Sequence, residues 1–550
     1  MNGGLRAVSI LLPLGILASS PLGARALSQP VPKAPRLLAA QAPLALGRRL
    51  LVAAEGNLQK ALDDALPGDT IEIAAGEVFE GPFTLPRKTG QGTIVVRTSA
   101  TDGDFASPGS RVSPTVAGAM PKLQSPTDVV IRAAPGARGY HFIGIEIRPR
   151  PGHALVNLVD LGTSARSFEE LPADIVFERC YLHGDPDRGS RRGIAMNSRE
   201  TSVVDSFLSD FKDANSEAQA IAGWTGPGPF KIVNNYLEGA GENVMFGGGD
   251  PPIPGLVPGD IEIRRNHLRK PLHWKAGDPS YDGTRWVVKN LLELKNARRV
   301  LIEGNLLENN WRAAQSGIGI LFTVRNQDGR SPWSVVEDVT FVNNHLRNSP
   351  GGINILGRDR TWPSGSGQTR RILIRNNLFE DIAGNLFQLL DQTADIVIDH
   401  NTALNSSNIA NLDSGPHTGF VFRNNIVLHN QYGFAGTAKA PGNDSIEAFL
   451  PGAVIRRNVL VGADAARYPG DNFFPASLTE VDFVDLPGGN FRLASTSPFR
   501  GSGTDSRDPG VDVDELAASL AGASGGPDEE TASPPRVPRS PPLRAGSSAH

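Results

Sequence analysis

The chain has 550 residues, of which 39% are apolar, 61 are glycine and 43 are proline, and its formal net charge is −4. So many turn formers suit short strands joined by bends and exclude a mainly helical protein. The near-balanced charge, without a basic run, excludes an electrostatic footprint for nucleic acid, and a length beyond one compact core fits a single domain only if the fold grows in one dimension.

Residues 1–26 carry Arg6, an apolar stretch from Ala7 to Leu17 broken by Pro13, and Ala24-Arg25-Ala26 as a small-x-small cleavage site. This is too short and too interrupted to span a bilayer and reads as a secretory signal cleaved near Ala26. The mature protein is therefore expected to be secreted or periplasmic, monomeric and without a transmembrane segment. Residues 27–50, rich in proline, alanine and leucine, read as a linker before a domain over 51–520. Asn57 is placed to cap a short helix over about 57–66, whose Leu58, Ala61, Leu62 and Ala65 share one face, and Pro67-Gly68 ends it. An alternating strand follows over 70–74, so the helix is expected to lie as a lid over an open sheet edge.

Residues 127–149 supply the first coils, and from 173 to 462 one pattern recurs: apolar, any, apolar, two polar residues, then asparagine. Residues 370–404 hold two copies, with Ile372, Ile374 and Asn377 followed by Ile396, Ile398 and Asn401. The alternation predicts strands. Aligning the pattern puts Cys180, Ser206, Asn235, Asn266, Asn305, Asn344, Asn377, Asn401, Asn425 and Asn458 at one position, at intervals of 24 to 39 residues. A unit of minimum length with variable insertions is a solenoid, because one coil cannot bury its own apolar face. Asparagine tolerates the left-handed backbone of a tight bend, and its amide both donates and accepts, so stacked coils can chain amide to amide. Cys180 is the one cysteine, cannot make an intramolecular disulfide, and fits a small buried ladder position. Residues 490–493 predict a last strand, followed by a Gly- and Asp-rich run-out over the C-terminal end. The tail over 521–550, with six prolines among serine, glycine and arginine, is expected to be disordered.

An asparagine column between short apolar strands resembles the right-handed parallel β-helix superfamily, which includes pectate lyases, polygalacturonases and related polysaccharide-degrading enzymes. The resemblance covers roughly residues 57–515. It implies an all-β solenoid, a right-handed parallel β-helix with a short N-terminal capping helix, and a polysaccharide partner. The short motifs of these enzymes fall in the wrong places. Ile398-Asp399-His400 matches a pectate lyase motif without its preceding Trp and sits in the ladder register. An R-x-P-x-x-R occurs as Arg539-Ser540-Pro541-Pro542-Leu543-Arg544, in the tail. The adjacent aspartates Asp63-Asp64 lie on the capping helix and G-H-G is absent, so the paired-carboxylate hydrolase mechanism has no support.

Long insertions concentrate between residues 219 and 326, where loops on a rigid scaffold would build a site. Strand alternation puts Leu292 and Leu294 inside and Glu293 and Lys295 outside. On the next coil it puts Ile318, Ile320, Phe322 and Val324 inside with Thr323 and Arg325 outside, and then Asn354 outside between Ile353 and Ile355. Glu293, Lys295, Arg325, Asn326 and Asn354 should share one flank, overhung by Lys270, His273, Trp274 and Lys275, with Trp224 nearby for stacking on sugar. A lyase needs a base for the proton beside a uronate carboxylate and a cation to neutralise that carboxylate; Lys295 or Arg325 could serve, with Glu293 orienting. The alternative is a non-catalytic glycan-binding or cell-surface protein with the same groove, and a surface ion-pair ladder is the plain structural reading. Several polysaccharide lyases of this fold use calcium, and the resemblance makes Glu242 and Asp250, beside Gly247-Gly248-Gly249, the residues that could hold one. His183, His267, His345 and His417 show no metal-ligand spacing.

Overall fold

The computed structural model describes Met1, residues 30–39 and residues 46–524. The expected secretory signal and nearly all of the tail lie outside the described residues. The chain winds into a right-handed parallel β-helix whose three sheets contain 14, 13 and 12 parallel strands, one per coil in each sheet. In one coil Arg370–Arg375 lies in the first sheet, Leu378–Ile382 in the second and Phe387–Leu390 in the third, after which Ala394–Asp399 returns to the first. Ile372 then pairs with Ile396 and Ile374 with Ile398, while Val339 and Phe341 sit on the coil before. All six side chains are at most 1% exposed. Each such side chain contributes on the order of 1.5–3 kcal/mol of burial, repeated down the axis.

The ladder forms at all ten expected positions. The Cys180 N–H donates to Ser206 Oγ (3.0 Å) and the Ser206 N–H to Asn235 Oδ1 (2.9 Å). From Asn235 onward each amide Nδ2 donates to the next Oδ1, as in Asn235 to Asn266 (3.0 Å) and Asn377 to Asn401 (2.9 Å). The column ends on an eleventh member, Asn472, which accepts from Asn458 Nδ2 at 2.9 Å. Burial pushes the Cys180 thiol up to about 12, so it is inert packing. The left-handed backbone, however, falls on the residue before each ladder position, as at Asn234, Asn343, Asn376 and Asn424, all with φ between 53° and 57°. The ladder asparagine points inward, and its predecessor makes the bend.

The capping helix spans Leu58–Asp64, with Asn57 Oδ1 accepting from the Lys60 N–H at 2.9 Å. It covers Phe83–Leu85, the opening strand of the third sheet. Two expectations are corrected. The linker is shorter than 27–50, because Arg49–Val52 pairs with Thr70–Ile73 as the first strand of the first sheet. The run-out does not cover the C-terminal end. The helix Asn443–Phe449 packs there, against Phe434–Gly436. Residues 497–524 fold back along the corner between the first and second sheets, where the outward asparagines of the bend hold them: the Asp512 N–H donates to Asn376 Oδ1 (2.6 Å) and Asn343 Nδ2 to Glu515 Oε1 (3.3 Å). Among the described residues no helix is long and apolar enough to cross a membrane.

Candidate functional site

The outer face of the third sheet carries the candidate site. Parallel pairing sets Glu293 beside Leu321 and Leu321 beside Asn354 on successive coils. Loops after Leu306–Glu308 and after Ile318–Thr323 rise beside these strands and leave a cleft of about 300 Å³. It is lined by Glu293, Lys295, Gln315, Ser316, Ile318, Leu321, Thr323, Arg325 and Asn354. Four of the residues expected to share one flank, Glu293, Lys295, Arg325 and Asn354, therefore meet around one opening. Ile318 departs from expectation: it lies at the strand start, half-exposed on the cleft wall.

Glu293 is buried at the cleft floor, its Oε1 3.6 Å from Lys295 Nζ and 3.4 Å from Thr323 Oγ1, while Asn290 Nδ2 donates to Oε2 at 3.3 Å. Arg325 stands at the rim, its side chain 40% exposed and 3.5 Å from Asp359. Beneath them runs a largely buried polar chain whose members, Glu242 apart, lie outside the expected set. Arg192 Nε donates to Gln219 Oε1 (2.9 Å) and Gln219 Nε2 to Glu242 Oε2 (2.8 Å). Lys289 Nζ lies 2.8 Å from Glu242, 2.9 Å from Glu217 and 3.8 Å from Glu293. Burial, and then the neighbouring Glu293 charge, push the Glu242 carboxyl up. At Lys289 burial works against the charge, but Glu242, Glu293 and Glu217 outweigh it and raise the ammonium.

Trp224 is half-buried two coils from Lys295 in the same outward register, with the Arg192 guanidinium 5.2 Å from its ring centre. Between them passes the Gly247-Gly248-Gly249 turn. At Gly247, with φ of 95°, an added Cβ would fall 2.5 Å from the Asn296 nitrogen, and at Gly249 it would press on the Trp224 ring at 3.1 Å. The turn packs closely between tryptophan and lysine, and at Gly248 an added Cβ would meet the Met245 side chain at 3.0 Å.

The other expected residues lie elsewhere. Trp274 is 2% exposed and packs with Ala240, Trp286, Val288 and Trp311, with Lys212 Nζ 5.3 Å from its ring; it anchors the long loop and presents no face to a ligand. Lys270 is fully buried, its ammonium held by the carbonyls of Gly239 (2.5 Å), Ala240 (3.0 Å) and Gly241 (3.3 Å) and by Asn243 Oδ1. His273 and Lys275 are exposed on that loop, away from the cleft lining. Asn326 is buried, tying Ser364 and Gly365 into the adjoining loop. Glu242 and Asp250, the two carboxylates that could hold calcium, each have protein partners. Glu242 is engaged by Lys289 and Gln219, and the Asp250 oxygens accept from the Asp328 and Arg330 N–H groups and Ser331 Oγ. No group of three or more His, Cys, Asp or Glu suited to a metal ion occurs among the described residues.

By fold, the molecule is a right-handed parallel β-helix protein, an assignment that rests on the three sheets themselves. No family model matches the sequence and no curated protein aligns with it. Among solved structures it is similar to the catalytic unit of a GH87 α-1,3-glucanase from Streptomyces thermodiastaticus, at 11% identity and a TM-score of 0.49, covering 81% of this chain and 72% of that one. It is also similar to the PL6 family alginate lyase AlyGC, at 13% identity and a TM-score of 0.46, covering 86% and 58%. For pectate lyase Pel9A the values are 13% and 0.35, covering 85% and 96%.

Proposed function

We propose that the protein acts on polysaccharide in the third-sheet cleft and cleaves a uronate-containing chain by β-elimination. The observation that carries this reading is the convergence of Lys295, Arg325 and Glu293 on one opening. Arg325, permanently charged and at the rim, pairs with the uronate carboxylate and so acidifies the hydrogen on the carbon beside it. Lys295 Nζ is the base that takes that proton. The electron pair left behind forms the carbon–carbon double bond, and the glycosidic C–O bond at the next carbon breaks, its oxygen leaving with the proton that Lys295 has taken. Glu293 beneath the lysine fixes its position, Asn354 orients hydroxyl groups, and Trp224, two coils away in the same outward register, offers its ring to a sugar further along the sheet. On the same reading the leader over residues 1–26 exports the protein, and N-terminal sequencing of the released form should begin near Leu27.

The test is ultraviolet absorbance of the unsaturated product after mixing with a panel of uronate glycans. Lys295→Ala and Arg325→Ala should each lower the rate by about 10²–10⁴-fold, the usual contribution of a positioned acid–base group. New reducing ends without absorbance would make the protein a hydrolase. Binding without either signal would make it the glycan-binding protein of the alternative reading.

A further inference from the structure

Residues 30–39 lie against the outer face of the first sheet, whereas the cleft lies on the third. They form neither helix nor strand, yet two backbone N–H groups are fixed: Lys33 donates to Asp338 Oδ1 and Arg36 to Asp260 Oδ1, each at 3.0 Å. Parallel pairing brackets Asp260 against Arg299 and Arg299 against Asp338, so the two carboxylates stand two coils apart. Each is clamped by an arginine of the next coil, Arg299 on Asp260 and Arg371 on Asp338, both at 2.6 Å.

The spacing explains the sequence that sits there. Two coils rise about 9.6 Å, and three residues of a polyproline helix rise about 9.3 Å. A segment with that period therefore presents the same kind of N–H to every second coil. Pro32-Lys33-Ala34-Pro35-Arg36-Leu37 has the period, placing each donating N–H directly after a proline, which has no N–H of its own to leave unpaired. Its two cations, Lys33 and Arg36, follow the prolines at the positions whose N–H groups reach the carboxylates. The same six-residue pattern, Pro-cation-x-Pro-cation-x, recurs at the other end of the sequence as Pro535-Arg536-Val537-Pro538-Arg539-Ser540.

The returning C-terminal segment reaches the same coils. Arg111 Nη1 holds the Ala523 carbonyl at 3.1 Å while its Nη2 donates to the Arg265 carbonyl, in the same coil as Asp260. Arg265 lines a groove of about 820 Å³ whose wall includes Leu38 and Ala39, the end of the docked segment. The eleven steps of chain from Ser524 to Pro535 can span up to about 38 Å, and a strand is only about 17–20 Å long.

We propose that the clamped carboxylates Asp338 and Asp260 are a docking site for basic polyproline segments, and that residues 535–540 of the same chain are its second ligand, exchanging with residues 32–37. The site is read by either terminus, one at a time.

The test uses hydrogen exchange of residues 30–39 in the full chain, with a synthetic peptide of residues 533–544 as probe. Excess peptide should speed exchange there by about tenfold or more through displacement, and a peptide with Arg536 and Arg539 replaced by Glu should not. In the full chain, Arg536→Glu with Arg539→Glu should slow exchange of residues 30–39, because the internal competitor is gone. Asp260→Asn with Asp338→Asn should abolish the response to peptide. The proposal is overturned if the peptide leaves exchange unchanged, if the tail variant exchanges like the parent, or if the double Asn variant still responds. The tail variant decides the matter even where the sheet variant fails to fold.

Discussion

Asn344 sits mid-ladder, and replacing it by alanine tests whether the column holds the coils together. Its Nδ2 donates to Asn377 Oδ1 (3.1 Å), the Ile302 carbonyl (3.0 Å) and the Val342 carbonyl (2.9 Å), and its Oδ1 accepts from the Asn305 N–H (3.0 Å) and Nδ2 (2.9 Å). Truncation is not equally costly for all partners. Asn305 Nδ2 keeps the Ile263 carbonyl at 2.9 Å, and Asn377 Oδ1 keeps the Asn344 N–H at 2.9 Å. The Asn305 N–H loses its acceptor in a fully buried setting, which by itself costs about 1–3 kcal/mol. Adding the weakened carbonyl contacts and a small cavity gives about 2–4 kcal/mol in total. Asn344→Ser should recover roughly half of this, because Ser206 already fills a ladder position, accepting from the Cys180 N–H and donating to the Val204 carbonyl at 2.8 Å. A solenoid unfolds coil by coil, so the assay is hydrogen exchange of the amides over residues 300–345 together with urea denaturation. An alanine variant within about 0.5 kcal/mol of the parent, or a serine variant no better than alanine, would refute the reasoning.

Other outcomes follow from the same contacts. Lys289→Met should cost about 3–5 kcal/mol, because it strands the buried Glu242 carboxylate, and adding Glu242→Gln should return much of the loss in thermal unfolding. Trp274→Ala should cost about 3–5 kcal/mol of stability with glycan affinity unchanged, whereas Trp224→Ala should weaken glycan binding with little change in stability, as read by calorimetry. At Asp399 burial favours the neutral acid, but hydrogen bonds from His400 (2.9 Å) and Arg423 (3.0 Å) prevail and hold the carboxyl down to about 2. The folded value lies below the unfolded one near 3.9, so its contribution of about 1–3 kcal/mol is present above pH ~4 and is lost as pH falls toward 2. Asp399→Asn should flatten the stability curve across that acid window and leave it unchanged in shape above it.

Ile398-Asp399-His400 shows how far a motif can be read from sequence. Its place in the ladder register already argued for a structural role, and the structure gives that role as a network with Arg423 and Asn424, where Asn424 Nδ2 donates to Asp399 at 2.8 Å. The paired asparagines at 234–235, 343–344, 376–377 and 424–425 hold more than the ladder alone: the second of each pair stacks inward, and the first bends the backbone and, at 343, 376 and 424, holds the returning C-terminal segment. That second column was visible as a doublet but had no partner in a local reading. Lys289 was missed because a loop of more than twenty residues separates His267–Arg269 from Leu292–Leu294, and register cannot be counted across it. Trp274 and Lys270 were placed over the cleft because aromatic and cationic residues on a long loop are exposed in most settings. Here the loop folds onto its own tryptophans and buries them.

The sequence by itself determined the coil, its ladder and, the strand start at Ile318 apart, which side of the ladder strands faces the core, because alternation and the recurring amide are local properties that every coil repeats. It also placed Glu293, Lys295, Arg325 and Asn354 on one flank, since parallel pairing carries a strand's register unchanged to the next coil. Only the tertiary structure decided what lies over and under that flank. Insertions of unequal length, the returning C-terminal segment and the docked residues 30–39 follow no period, and their positions depend on which carbonyls, carboxylates and rings the finished solenoid leaves open to them.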